Sequence, residues 1–168
     1  EIIESNVEVN EMGKKVVMIV ASDQFRDEEL LEPMDVLENA GVEVVVASKD
    51  TDMATGMLGA IVSVNLDYSE IIVDDYDALV FIGGTGANMF FNDEKAWSLA
   101  NEAYSKNKLV GAICIAPSIL ANAGLLEGKK ATSYPSEESN LANNGAQYTG
   151  ERVTVDENII TGSGPEAA

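Results

Sequence analysis

The chain contains a single cysteine, and its setting is that of a nucleophile. Cys114 stands in the run VGAICIAPS, residues 110–118. A short apolar segment leads straight into the cysteine, and a proline follows three residues later. Proline is favoured in the first turn of a helix. The pattern therefore places Cys114 on a tight turn between a strand and a helix, the elbow that lifts a nucleophile out of a sheet. Amide groups at the start of that helix would stabilise a thiolate and lower its pKa. The competing reading is a buried cysteine that packs as a small hydrophobe, and the local sequence leaves both open.

Two further groups could work with the sulfur. Gly83-Gly84-Thr85-Gly86 follows an apolar run. Glycines there let the backbone turn sharply and aim amides at an anion or a developing oxyanion. A dinucleotide loop is a poor fit, because Met89 stands where the third glycine of GxGxxG belongs and no P-loop lysine follows. Glu28 and Glu29 open a helical pattern near the end of the first strand. Acidic residues commonly complement the dipole at a helix start. A glutamate buried beside a thiolate would differ: desolvation and the neighbouring charge would raise its pKa, and its proton could bond to the sulfur.

Absences narrow the chemistry. With no histidine there is no Ser-His-Asp or Cys-His triad, no HExxH zinc site and no imidazole base. One cysteine cannot form an internal disulfide or a multi-cysteine zinc site, so no metal and no cofactor is expected. The 29 acidic and 10 basic residues give a net charge of −19. That field repels phosphate backbones, which argues against a nucleic-acid partner. No apolar run approaches the roughly 18 residues of a membrane span. The acidic start EIIESNVEVNEM lacks the features of a signal peptide, so the expected location is the cytoplasm.

The elements that must position these groups can be read from the apolar pattern. Residues 15–21, 42–47, 78–82 and 109–114 are short, apolar and valine-rich or isoleucine-rich, as buried strands are. Helices are expected over 27–39, where Leu30, Leu31, Met34 and Leu37 share a stripe, and over 94–106 and 117–123. Residues 53–64 suggest a β-hairpin excursion, and late strands are expected near 130–132, 152–155 and 158–161. Strands alternating with helices imply an α/β fold with a mostly parallel sheet covered on both faces. Ligands then bind at the carboxyl ends of strands, which singles out the residues after Ala21, Ile82 and Ile113. Met12-Gly13-Lys14-Lys15 reads as a start, making 1–13 an N-terminal extension and 14–168 a single domain. Residues 164–168 read as the first turn of a further helix, the remainder of which is missing.

Three features in order carry a resemblance: Glu29 four residues before Pro33, Gly83-Gly84 after the third core strand, and Ala112-Ile113-Cys114 with Pro117 at the elbow. Together they resemble the ThiJ/PfpI superfamily from about Lys14 to Pro165. That family includes the Parkinson-associated redox protein, chaperone-like members and intracellular protease I. The resemblance implies a flavodoxin-like three-layer sandwich related to class I glutamine amidotransferases, assembled as homodimers or larger homo-oligomers. It also implies Cys114 as nucleophile, Glu29 as its acid, and an anion pocket at Gly83, Gly84 and Ile115. Two departures matter. Ile115 stands where peptidase-type members carry histidine. Tyr134, in Thr132-Ser133-Tyr134-Pro135, stands where several glyoxalase or deglycase members carry histidine; a phenol can donate a hydrogen bond there but is a poor base at neutral pH.

The activity so implied is a stress-response one, on reactive dicarbonyl aldehydes or glycated groups, with Glu29 as proton shuttle. The alternatives are a cysteine-oxidation sensor, a chaperone without turnover and, more distantly, a cysteine peptidase.

Overall fold

The computed structural model describes residues 13–168, so the N-terminal extension expected for 1–13 falls, Gly13 apart, outside the described residues. The chain runs β1 (Lys15–Ile19), β2 (Asp23–Phe25), α1 (Asp27–Asn39), β3 (Glu43–Ser48), β4 (Met53–Gly56), β5 (Ile61–Ser63), β6 (Leu66–Asp67) and β7 (Ala78–Phe81). It continues with α2 (Glu94–Ser105), β8 (Leu109–Ile113), α3 (Pro117–Asn122), β9 (Lys130–Ala131), α4 (Glu138–Asn143), β10 (Gln147–Tyr148), β11 (Val153–Asp156) and β12 (Ile159–Gly162).

Seven strands form the central sheet in the order β11-β12-β8-β7-β1-β3-β6. All its pairings are parallel except β11 with β12. The reason lies in β1, which is buried on both faces. Val16, Met18 and Val20 point into one core with Leu30, Met34 and Leu37 of α1. Val17 and Ile19 point into the other with Phe81, Leu99, Ala103, Ile119 and Leu120. Helix α1 thus covers one face, and α2 and α3 the other, giving the three layers expected. No helix among the described residues is long and apolar enough to cross a membrane.

The hairpin expected over 53–64 is β4 paired with β5, with β2 added alongside β4. Residues 130–131 leave the central sheet and pair with β10 instead. They must do so, because the next residues cross to the Cys114 turn, where the Tyr134 amide donates to the Cys114 carbonyl at 2.7 Å. Residues 165–167 form a single 3₁₀ turn. An apolar groove of about 360 Å³ remains on the α1 side of the sheet, lined in part by Val80, Ile82, Ile113 and Ile160.

Candidate active site

Parallel strands β1, β7 and β8 are neighbours, so whatever follows their carboxyl ends meets in space. The connection after β1 leads into α1, which turns Glu29 inward until none of it is exposed. Its Oε1 accepts the Gly83 amide at 2.9 Å. Its Oε2 is buried and has no hydrogen-bond partner among the described residues. Pro33, one turn on, cannot donate to the Glu29 carbonyl.

β8 delivers Cys114. The residue has φ 64°, a left-handed conformation that costs a side-chain-bearing residue about 1–3 kcal/mol and persists only where neighbours hold it. Both flanks are held: the Cys114 amide donates to the Gly162 carbonyl at 2.9 Å, and the Cys114 carbonyl accepts from Tyr134. The thiol is partly buried.

β7 delivers the glycines. A Cβ on Gly83 would lie 2.5 Å from the Cys114 Cβ and 2.6 Å from the Ile113 carbonyl, and would also meet Glu29 Oε1. Gly84 has φ 97°, and a Cβ there would press on the Gln24 carbonyl at 2.6 Å and on the Arg26 amide. Bare backbone at these positions is what lets sulfur, carboxyl and turn approach one another. Gly86 likewise packs against the Asp23 carbonyl, so the third glycine serves the packing of this turn on β2.

The electrostatics of the pair follow from this crowding. Burial pushes the Glu29 carboxyl up to about 7, against the Gly83 amide, the Cys114 thiol and the Arg26 charge, which favour the carboxylate. Burial also pushes the Cys114 thiol up to about 11, and the Glu29 charge adds to that. The amides of Gly84 and Ile115 act in the opposite direction, but do not prevail. The sequence expectation of a lowered thiol pKa is therefore corrected: burial and the Glu29 charge outweigh the helix amides on which it relied. α3 is only six residues long, which weakens the dipole that expectation relied on. Two acids in one cavity ionise one after the other. Near neutral pH the Glu29 carboxyl is divided between its protonated and ionised forms.

The structure thus brings together Cys114, Glu29, Gly83, Gly84 and Ile115. Tyr134 joins them by its backbone; the residue is 48% exposed and its hydroxyl makes no hydrogen bond among the described residues. It lines an open cleft of about 790 Å³ together with Arg26, Ser133 and Tyr148. Sequence reasoning did not single out Arg26. The available signal was an arginine at the residue before a helix, where a short acceptor side chain is usual.

The DJ-1/PfpI family matches this chain over residues 14–168. An uncharacterized protein of Methanocaldococcus jannaschii is 44% identical over 162 residues, 95% of this chain and 79% of that one. A deglycase of Pyrococcus abyssi is 38% identical over 149 residues, 89% of this chain and 90% of its own. The crystal structure of a ThiJ/PfpI domain protein from Brachyspira murdochii superposes with a TM-score of 0.89 at 31% identity, covering 91% of this chain and 88% of that one. Family match, fold and elbow geometry agree, and the chain belongs to the DJ-1/PfpI family.

Proposed function

We propose that the Cys114 centre acts on reactive dicarbonyls such as methylglyoxal, or on their early adducts with amino groups. The observation that carries this reading is the buried Glu29 carboxyl beside the thiol, held near about 7 and so able both to accept and to return a proton. The deglycase name of the Pyrococcus abyssi relative supports it.

In the proposed sequence the Glu29 carboxylate takes the thiol proton as Sγ bonds to the aldehyde carbon. The oxygen of the hemithioacetal faces the amides of Gly84 and Ile115, which stabilise negative charge on it. Glu29 returns the thiol proton to that oxygen and, again a carboxylate, carries the proton on the former aldehyde carbon to the adjacent ketone carbon, while the hydroxyl proton passes to the ketone oxygen, leaving a thioester of lactate. Water cleaves the thioester, releasing lactate and the thiol. From an amine adduct the same sequence releases the amine when the sulfur displaces it. No oxidant or reductant enters, because one carbon is oxidised as its neighbour is reduced.

The test is methylglyoxal consumption by the intact protein and by Cys114→Ser. We expect the variant to lose at least about 100-fold, because a serine hydroxyl is a far weaker nucleophile than the thiolate it replaces. Equal rates overturn the reading. If mild peroxide then adds two oxygens to Cys114 by intact mass, the same amide pocket is acting as a sulfinate cradle, and the centre is a redox sensor.

A further inference from the structure

Arg26 occupies a helix start that gives it no helical role. Its backbone is extended (φ −83°, ψ 117°) and its side chain makes no capping bond. A cation beside the positive end of a helix is electrostatically out of place. The side chain instead lines the cleft of about 790 Å³ that Tyr134 and Tyr148 also line, and among the described residues it is the only basic one in that lining.

Arg26 is tied to the glycine turn after β7, which packs on Cys114, and Tyr134 is tied to the Cys114 turn itself. The Arg26 amide donates to the Gly83 carbonyl at 2.9 Å, and the Tyr134 amide donates to the Cys114 carbonyl at 2.7 Å. A group seated between Arg26 and Tyr134 therefore lies beside the sulfur's own turn. The guanidinium is already oriented by a carboxylate: Nε and Nη2 donate to Glu28 at 2.7 and 3.1 Å. That pair is about one-third exposed, so solvent screens it and an incoming anion can compete for it. Nη1 makes no hydrogen bond among the described residues, and a planar fork suits a second carboxylate. Glu138 and Glu166 line the same cleft and disfavour a second negative charge. A monoanionic carboxylate suits this lining; a phosphate dianion does not.

Building on the dicarbonyl reading above, we propose that Arg26 forms a carboxylate subsite of the Cys114 centre, so that its preferred substrates are dicarbonyl adducts of amino acids bearing a free carboxylate.

The experiment compares methylglyoxal adducts of Nα-acetylarginine, which carries a carboxylate, and of Nα-acetylargininamide, which does not. The readout is the ratio of their kcat/KM values in the intact protein, Arg26→Gln, Arg26→Lys and Glu28→Gln. We expect the intact protein to favour the carboxylate about tenfold, on the scale of one charge-assisted hydrogen bond. Arg26→Gln should bring the ratio near one, Arg26→Lys should restore part of it, and Glu28→Gln, which removes the internal competitor, should raise it. A ratio near one in the intact protein, or one that Arg26→Gln leaves unchanged, overturns the subsite.

A second measurement needs no turnover. The two unreacted compounds are tested as protectants of Cys114 against alkylation. Protection by the carboxylate alone, lost in Arg26→Gln, supports the subsite even if no adduct is consumed, in which case only the dicarbonyl reading fails. Equal or absent protection removes the subsite while leaving that reading to its own test.

Discussion

Glu29 binds its proton more tightly in the folded protein, where its pKa is raised from 4.5 to about 7. Between those values the folded chain holds a proton that the unfolded chain has released. The contribution to stability is therefore greatest below the unfolded pKa and falls as pH rises through the window, by about 3 kcal/mol in all. Glutamine is neutral throughout, and its carbonyl can still accept from Gly83. The stability of the intact protein minus that of Glu29→Gln, measured by urea unfolding from pH 4 to 8, should thus decline as pH rises. The same substitution removes the charge that helps push the Cys114 thiol up, so the midpoint of the pH dependence of its alkylation should fall. A flat stability difference together with an unmoved midpoint would mean that the two groups do not share one electrostatic environment.

At the scale of elements, the Cys114 site depends on a hairpin that never touches the sulfur. Asp27, the first residue of α1, is 7% exposed and accepts the amides of Leu58 at 3.1 Å and Ala60 at 2.9 Å from the β4–β5 turn. Gly56 lies so close beneath this carboxylate that a Cβ would collide with it. The turn thereby fixes where α1 begins, two residues before Glu29. Asp27→Ala should lower the unfolding free energy by about 2 kcal/mol, the range for hydrogen bonds to a charged acceptor, and expose residues 57–60 to proteolysis. An unchanged denaturation midpoint would show that the hairpin and helix hold their positions independently. Helix α1, the strands and the Cys114 elbow were legible in the sequence because apolar periodicity and proline placement are local signals. The two- and three-residue strands β2, β6 and β10 carry no period to read, and six-residue α4 carries hardly more. Gly83 was legible as a turn glycine, but its tightest constraint was not, because the atoms that forbid a side chain there come from Glu29, Ile113 and Cys114, distant in sequence. The thiol pKa was misread for the same reason: burial and the Glu29 charge belong to the assembled layers.

For the whole molecule the governing quantity is the charge of −19. The ion pairs among the described residues are few, and Lys49 with Asp93 is the one that has a well-buried partner. Exposed pairs contribute about 0–1 kcal/mol each and lose that in salt, whereas unpaired carboxylates repel one another until salt screens them. Repulsion should therefore dominate the salt dependence. Raising sodium chloride from about 10 mM to about 1 M shortens the screening length from roughly 30 to 3 Å and should raise the Tm by several degrees, each ~1 kcal/mol being worth about 2–4 °C at this size. A fall in Tm would place the balance with the ion pairs instead. The same field acts on ligands: it holds anions away from a surface on which Arg26 is the cation at the cleft beside Cys114. Salt should accordingly quicken the encounter with a carboxylate substrate at low concentrations and weaken its hold on Arg26 at high ones. The kcat/KM for the carboxylate adduct should then pass through a maximum as sodium chloride rises, while that for the neutral adduct changes little.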